Sequence, residues 1–568
     1  MTPKEALKIY FGYDDFRPLQ AEIIDSVLAG KDTLALMPTG GGKSLCFQVP
    51  TLVMAQDNPD KRLCLVITPL IALMRDQVEN LQTRGIHSAA IYTGMSYDKQ
   101  RIALDNCLFG PFHFLYCSPE RLESEEFKAR LKDLPIGLIA VDEAHCISQW
   151  GYDFRPSYLN IQKVREALPD VPILALTATA PPEVVEDIQR RLGFSEPNVL
   201  RKSFHRENLQ YIVRRTENKS EQIAHILSRV PGSAIVYVRN RKRAKELAEW
   251  LAEQGESVDY YHAGLTTRER NERQEAWKNG KTRVIVATNA FGMGIDKADV
   301  RLVIHHDLPS SIESYYQEAG RAGRDGQTAY AVLLYSDQDK TKARKRVVDH
   351  YPQKEFVEKV YHNTCDFLQV GLGSGYGHTF TLHIDRLCQV MRLPVLQTYS
   401  ALHLLTQAGY VHFEEEHETQ PRVRINVPRQ QFGEYNLSTT QAEMLDCLMR
   451  QYSGIFTDLQ YVREGDDPSA HEVLVSLAQR GILTYIPRSV GCSLTFTRER
   501  EAETYLSPMV YDERQERYAQ KMDAMVEYAE QTQFCREQVL LAYFGETDAV
   551  PCGHCDVCRT LAQRVFSE

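Results

Sequence analysis

Eight short apolar runs recur between residues 33 and 335, and they constrain the fold more than any other feature. They are TLALM at 33, LCLVIT at 63, GLIAVDE at 137, ILALTAT at 173, SAIVYV at 233, RVIVAT at 283, RLVIHH at 301 and YAVLLY at 330. Between them lie amphipathic stretches such as RKRAKELAEWLAEQG. A run that is apolar on both faces suits a strand covered from both sides. Its alternation with helical segments is the pattern of a buried parallel sheet. The runs are short and flanked by turn residues, which favours strand over buried helix. Two sheets fit better than one, with the break near residue 205. The expected lobes are therefore 1–205 and 206–345.

Beyond residue 345 the alternation stops. A connector is expected over 346–378, ending in GLGSGYGH at 371–378. Two later stretches resemble each other: ALHLLTQAGYVHF at 401–413 and VLVSLAQRGILTY at 473–485. Each reads as a helix closed by glycine, Gly409 or Gly481, and then a strand. Each is followed by a second β-rich segment, RVRINV at 422 and SLTFTRE at 493. A helix pair followed by a hairpin is a winged-helix pattern, so two such domains in series are expected, at 379–430 and 431–510. A terminal module occupies 511–568. The expected fold is thus α/β: two tandem RecA-like lobes with parallel sheets, two winged-helix-like α+β domains, and a small helical module.

Composition narrows the class. A chain of 568 residues, 43% hydrophobic and 25% charged, is that of a multidomain globular protein. No apolar run reaches the ~18 residues a membrane span needs. The start, MTPKEALKIYFGYDDFRP, has no apolar signal-peptide core. Most of the thirteen cysteines stand singly in apolar runs, as Cys46, Cys64 and Cys117 do, which suits reduced thiols and a cytoplasmic location. The net charge of −10 argues against coating nucleic acid by bulk charge. It leaves room for a local groove that holds one strand.

MPTGGGKS, Met37 to Ser44, follows the first apolar run directly. A strand, a glycine-rich turn and a helix start set backbone N–H groups around a phosphate. Thr39, Gly40, Gly41 and Gly42 would form that cradle. Lys43 would reach the β- and γ-phosphates and Ser44 would bind Mg²⁺. Met37 replaces the first glycine of the strict pattern. VDEAH at 141–145 ends a later strand in adjacent acids. Asp142 can hold Mg²⁺ and Glu143 can orient the attacking water. Upstream, the Gln20 amide of FRPLQ can pair with both N6 and N7 of adenine. In YYQEAGRAGRDG, Arg321 and Arg324 are three apart, a spacing that would put both on one helix face, aimed at the γ-phosphate. Because they lie on the second sheet, ATP hydrolysis would require the two lobes to close.

The segment after the acids, CISQWGYDFRP, places Trp150, Tyr152 and Phe154 among Gly151, Asp153 and Arg155. Such aromatics can stack on bases without sequence preference, at ~1–3 kcal/mol each, and Arg155 can hold a phosphate. The bland alternative is a Trp and Phe packed into the core.

With these motifs in order, the chain resembles the RecQ family of DNA helicases. The resemblance covers about residues 10–340 and includes FRPLQ, MPTGGGKSLCFQVP, ITPLIALMRDQ, DEAHCISQWGYDFRPSY, LTATA, YHAGL and VIVATNAFGMGIDKADVR. It implies ATP-driven unwinding of duplex DNA, with 3′→5′ translocation on one strand, in repair or recombination. It implies that Arg17 joins Gln20 on adenine. His145 and the LTATA threonines would couple the two sites, and Thr288, Gly294 and Asp296 would join DNA contact to ATP contact. The aromatic segment would sense single-stranded DNA. Single-stranded-DNA-binding or recombination proteins are candidate partners. An RNA helicase, or a nucleic-acid-binding module without motor activity, is the alternative.

CREQVLLAYFGE at 535–546 and CGHCDVC at 552–558 resemble the family's zinc module. Cys535, Cys552, Cys555 and Cys558 would give tetrahedral Zn²⁺ its four thiolates, with His554 a competitor. In common bacterial members this module closely follows the second lobe and a winged helix comes after it. Here some 190 residues intervene, and the family's C-terminal helical accessory domain is expected to be missing. The strand-separating hairpin therefore cannot be carried over by position. On charge, a hairpin of 482–487 and 493–498 with Arg488 at its turn is the better candidate to touch duplex DNA, since the other carries EEEHE at 414–418.

Overall fold

The computed structural model describes residues 1–565 except 39, 93–94, 96, 149, 152–153, 293–296, 420, 453, 457–459, 463–467 and 487–488. The chain forms two compact units, Met1–Ala343 with Gln520–Glu568, and Arg344–Ala519.

The first unit holds the two lobes. Lobe 1 contains β1 (Thr33–Leu36), β2 (Leu63–Ile67), β3 (Ser88–Ile91), β4 (Phe114–Cys117), β5 (Ile136–Val141), β6 (Ile173–Thr177) and β7 (Val199–Arg201). They pair in the order β3-β4-β2-β5-β6-β1-β7, every described pairing parallel. Central strands such as β1, β2 and β5 are buried along their whole length, which is why they read as unbroken apolar runs. Lobe 2 contains β8 (Leu209–Arg215), β9 (Ser233–Tyr237), β10 (Val258–Tyr261), β11 (Val284–Ala287), β12 (Val300–His305) and β13 (Ala329–Tyr335), in the parallel order β10-β11-β9-β12-β13-β8. The break expected near 205 falls between β7 and β8.

Two helices of this unit matter below. α1 (Leu45–Asp57) follows the phosphate loop, and α2 (Ile312–Ala319) lies between β12 and β13.

The second unit departs from the serial reading. It contains α3 (Lys354–Phe367), α4 (Ile384–Met391), α5 (Val395–Gln407), α6 (Thr439–Gln451) and α7 (Pro468–Gln479). Its strands are β14 (Thr379–Leu382), β15 (Val411–Thr419), β16 (Arg422–Ile425), β17 (Gln460–Tyr461), β18 (Leu483–Ile486) and β19 (Ser489–Phe496). Two winged-helix-like α+β bodies are present, but one is nested inside the other. β15 pairs with β19, not with the segment at 422, and β16 pairs with β18. The outer sheet is β14-β19-β15 and the inner is β17-β16-β18. Boundaries at 430 and 510 therefore do not separate two domains. The pairing sets Val411 against Phe496 and Phe413 against Leu494 over one core, and Ile425 against Leu483 over another. The strands flanking Arg488 belong to different sheets, so the expected 482–498 hairpin is replaced by this nesting. Arg488 itself lies outside the described residues.

Nor is 346–378 a mere connector. α3 buries Val357, Val360 and Tyr361 in the outer core. GLGSGYGH is tied down: Gly377 N–H donates to Phe496 O at 2.8 Å, and Arg500 N–H donates to Ser374 O at 2.8 Å. Gly375 has φ +98°, and a Cβ there would stand 2.7 Å from Val370 Cγ1, so only glycine lets the backbone approach so closely.

From Gln520 the chain belongs to the first unit again. That segment comprises the later part of α8 (Asp512–Glu530), α9 (Arg536–Tyr543) and α10 (Asp556–Val565). α9 packs on α2, with Phe544 between Phe204 and Tyr316 at ring distances of 4.7 and 5.1 Å. Glu537 Oε1 accepts from Arg206 N–H at 2.9 Å, and Glu546 Oε1 from Phe204 N–H at 2.7 Å. These carboxylates grip the strand-free segment that joins the two lobes.

Candidate nucleotide site and its neighbours

The phosphate loop leaves β1 at Met37 and enters α1 at Leu45. Gly40 and Gly42 have φ of +79° and +80°, conformations that other residues rarely adopt. Gln20 is buried beneath them. Its Oε1 accepts from Arg17 N–H at 2.9 Å, and its Nε2 donates to Gly42 O at 2.9 Å. Arg17 Nη1 donates to Gly40 O. Both residues expected at adenine thus brace the loop as well as lining a pocket of about 380 Å³ beside it, with Phe11, Tyr13 and Gln48. Thr39 lies outside the described residues, as do Gly294 and Asp296.

Asp142 and Glu143 follow the end of β5. Glu143 takes a left-handed φ of +48°, and its N–H donates to Asp142 Oδ1 at 3.0 Å. Burial raises the Asp142 carboxyl to about 6, the Glu143 charge adds to this, and Lys43 opposes it. Glu143 Oε2 is buried and accepts no hydrogen bond among the described residues, which suits a group that orients water. His145 is 1% exposed, and its Nδ1 lies 2.9 Å from Thr177 Oγ1 and 3.4 Å from Glu143 Oε2. The end of β6, where LTATA begins, is therefore wired to the acids.

Arg321 and Arg324 come from lobe 2. They do not share a helix face: α2 ends at Ala319, and both sit in the turn run after it. The turn still aims them into one cleft of about 360 Å³, together with Lys43, Ser44, Asp142 and Glu143. Arg324 Cδ comes within 3.4 Å of where a Gly40 Cβ would stand. Arg321 and Arg324 of lobe 2 thus face Lys43, Asp142 and Glu143 of lobe 1 across the gap between the lobes. Sequence reasoning assigned no role to Gln317, although it stands within YYQEAGRAGRDG, nor to Lys278, which carries no motif; both line the cleft.

The aromatic segment begins one turn past the acids. Trp150 is 41% exposed, which excludes the buried-core alternative for it, while Phe154 and Arg155 are half-buried. Tyr152 and Asp153 lie outside the described residues. Arg155 N–H donates to Cys146 O at 2.9 Å, closing the loop at its base. Just beyond it, Tyr158 donates its hydroxyl to Asp142 O at 2.9 Å. This link between loop and acids had no signature in the sequence beyond the tyrosine's position.

The Sγ atoms of Cys535, Cys552, Cys555 and Cys558 lie within 4.8 Å of one another. Backbone N–H groups of Cys552, Cys555 and Cys558 donate to the sulfurs of Cys535, Cys552 and Cys555, each at 3.3 Å. Hydrogen bonds from the neighbouring thiols hold the Cys535 thiol well below its usual value. Such a donor set, four soft sulfurs in a closed shell, fits Zn²⁺. His554 groups instead with Glu537 and Cys552.

Comparison with known proteins agrees with this geometry. The DEAD/DEAH box helicase family matches residues 17–188, the helicase conserved C-terminal domain 218–326, and the RecQ zinc-binding family 499–559. The ATP-dependent DNA helicase RecQ of Pasteurella multocida is 43% identical over 339 residues, covering 60% of this chain and 53% of that one. The probable ATP-dependent DNA helicase RecS of Bacillus subtilis is 40% identical over 341 residues, covering 59% and 67%. The chain spans just over half the length of the bacterial RecQ helicases it matches. Among solved structures, the DUF1998 helicase MrfA bound to DNA shares the fold, with a TM-score of 0.51 at 18% identity over 72% of this chain and 61% of that one.

Proposed function

The chain belongs to the RecQ family of helicases, and from that premise we propose that it is an ATP-driven motor that moves 3′→5′ on single-stranded DNA and unwinds duplex DNA, in repair or recombination. The observation that carries this reading is the cleft in which Lys43, Asp142, Arg321 and Arg324 meet from two separate sheets.

ATP would place its adenine in the pocket beside Gln20 and Arg17 and its phosphates on Gly40 to Lys43. Lys43 neutralises the β- and γ-phosphates. Ser44 and Asp142 would hold Mg²⁺, which when bound supplies further charge neutralisation between the phosphates. Glu143 orients the attacking water, with His145 and Thr177 fixing its position. Arg321 and Arg324 stabilise the charge that develops on the transferred phosphoryl group, an effect worth ~10³–10⁵ in rate in related enzymes. They reach it only when the lobes close, so each turnover cycles the gap between lobes. Asp296 would join this coupling, and Arg488 would touch the duplex.

Trp150 and Phe154 stack on bases and Arg155 holds a phosphate. The loop's direct bond to Asp142 through Tyr158 gives DNA contact a short path to the acids. Four cysteines hold Zn²⁺ in a structural role. No described helix is long and apolar enough to cross a membrane, and a cytoplasmic site of action, at the nucleoid if the source is bacterial, fits a DNA substrate.

One assay tests the reading: ATP hydrolysis with single-stranded DNA, single-stranded RNA or no polymer, followed by unwinding of a 3′-tailed duplex. Strong stimulation by DNA and unwinding from the 3′ tail are expected. Preferential stimulation by RNA would move the protein to the RNA helicases, and absence of hydrolysis would leave only a binding module.

A further inference from the structure

One lysine outside the cleft stands where three parts of the first unit meet. Lys521, in α8, directs its Nζ to the backbone O of Trp150 at 2.8 Å and to Glu313 Oε1 at 3.0 Å. Glu313 lies in the first turn of α2 and is 0% exposed. An ionised carboxylate so placed is costly unless a cation meets it. The Tyr543 hydroxyl of α9 also lies near Glu313, and burial and then the Glu313 charge push it up. The Lys521 ammonium thus donates a hydrogen bond to the Trp150 carbonyl and meets the Glu313 carboxylate as an ion pair, the two carboxylate oxygens accepting no hydrogen bond among the described residues.

The position of these partners gives the contact its meaning. α2 runs directly into the turn that carries Arg321 and Arg324. Trp150 lies in the aromatic loop, whose far side is tied to Asp142 through Tyr158. The loop is thus fastened toward lobe 1 by a tyrosine and toward lobe 2 by a lysine that neither lobe supplies. We infer that Lys521 is a positioning residue: it links the placement of the aromatic loop to that of Arg321 and Arg324, so that DNA on the loop is felt at the arginines.

The inference rests on the reading that the loop contacts DNA. A base that stacks on Trp150 moves the loop backbone. That movement strengthens or releases a charge-assisted bond at Trp150 O, and the same ammonium answers at Glu313. Without the lysine the loop can still bind DNA and the cleft can still bind ATP. What is lost is the response of one to the other.

The test uses the full chain and an oligodeoxythymidylate as the single strand. ATP hydrolysis is measured with and without it in wild type, Lys521→Gln, Lys521→Arg, Glu313→Gln and the Lys521→Gln/Glu313→Gln double variant. Zinc content and affinity for the strand are measured beside it. Lys521→Gln should lower the stimulated-to-basal ratio by at least about fivefold, the low end of typical coupling between sites. Basal hydrolysis, zinc content and strand affinity should stay at the wild-type level. Lys521→Arg should recover most of the ratio. Glu313→Gln removes the buried carboxylate, leaves Lys521 on the Trp150 carbonyl and should show the same loss, and the double variant should be no worse than either single one. A Lys521→Gln chain stimulated as strongly as wild type would overturn the inference. So would a loss of stimulation accompanied by loss of zinc or of strand affinity, since the lysine would then be a structural support. A wild-type chain that DNA does not stimulate would overturn the functional reading and this inference with it.

Discussion

At the scale of single residues, the groups that meet phosphate were legible because their chemistry is tied to a fixed local spacing. Asp142 and Glu143 follow a strand end, Lys43 and Ser44 close the turn from a strand into a helix, and short apolar runs mark those strands plainly. Lys43→Ala should lower ATP turnover by ~10² or more, since one preorganised charge or donor is worth about that much, and unwinding should fall with it. Retained unwinding by this variant would remove the motor assignment. Less legible were residues whose role depends on a partner far along the chain. Gln20 was read as an adenine contact, and its amide also proves to brace Gly42. Arg321 and Arg324 were placed on a helix face, yet α2 ends at Ala319 and the turn does the aiming. Lys521 carried no signal at all, because nothing local distinguishes a bridging lysine from a solvated one, and Tyr158 stood in a quoted motif with no role attached to it. For Trp150→Ala we expect most affinity for single-stranded DNA to remain, because phosphate contacts set much of it. Stimulation of hydrolysis per bound strand should fall sharply, and collapse of affinity with normal stimulation would make the loop a clamp.

At the scale of elements, most interior strands were readable and edge strands were not, with the short interior strand β4 the exception. β3 (SAAI) and β10 (VDYY) are only partly buried at several positions, so neither shows an unbroken apolar run. The nesting in the second unit was hidden for another reason. Alternation shows which face of a strand is apolar but not which strand will cover its edge, and neighbours in sequence are the default guess. The structure offers a direct check, because Thr419 stands opposite Ser489 at the open end of the β15–β19 pair. Replacing 420–488 by a short glycine-containing turn should leave an ordinary hairpin. That shortened chain should stay folded and keep DNA-stimulated hydrolysis; proteolysis of β15 or β19 in it would mean the inner body supports the outer one. The zinc element was legible from the two CxxC steps of CGHCDVC together with the resemblance to the family's zinc module. Fresh protein should carry one Zn²⁺ per chain, and a chelator or Cys558→Ala should expose the C-terminal segment to protease, because a module this small needs its staple. A folded Cys558→Ala chain with normal metal would point to His554 instead.

At the scale of the whole molecule, the two lobes were evident from the eight runs, whereas the return of residues 520–568 to the first unit was not, since no motif says where a terminal module docks. That return matters for stability. It covers Phe204, Tyr315 and Tyr316, which are at most 2% exposed, with Phe544 and Tyr528. A fragment ending at 345 keeps all the cleft residues and should bind ATP. Its melting temperature should fall by about 5–10 °C, because several aromatic side chains lose cover at roughly 1.5–3 kcal/mol each. An unchanged melting temperature would show that the docking contributes little. The same late cover has a consequence for synthesis. Between Ala343 and Gln520 the ribosome must make the 176 residues of the second unit, 344 to 519. At ~5–20 residues per second the aromatic seam of the newborn motor stands open for roughly 9–35 s, long enough to make this stretch of translation the interval in which chaperones would find the chain.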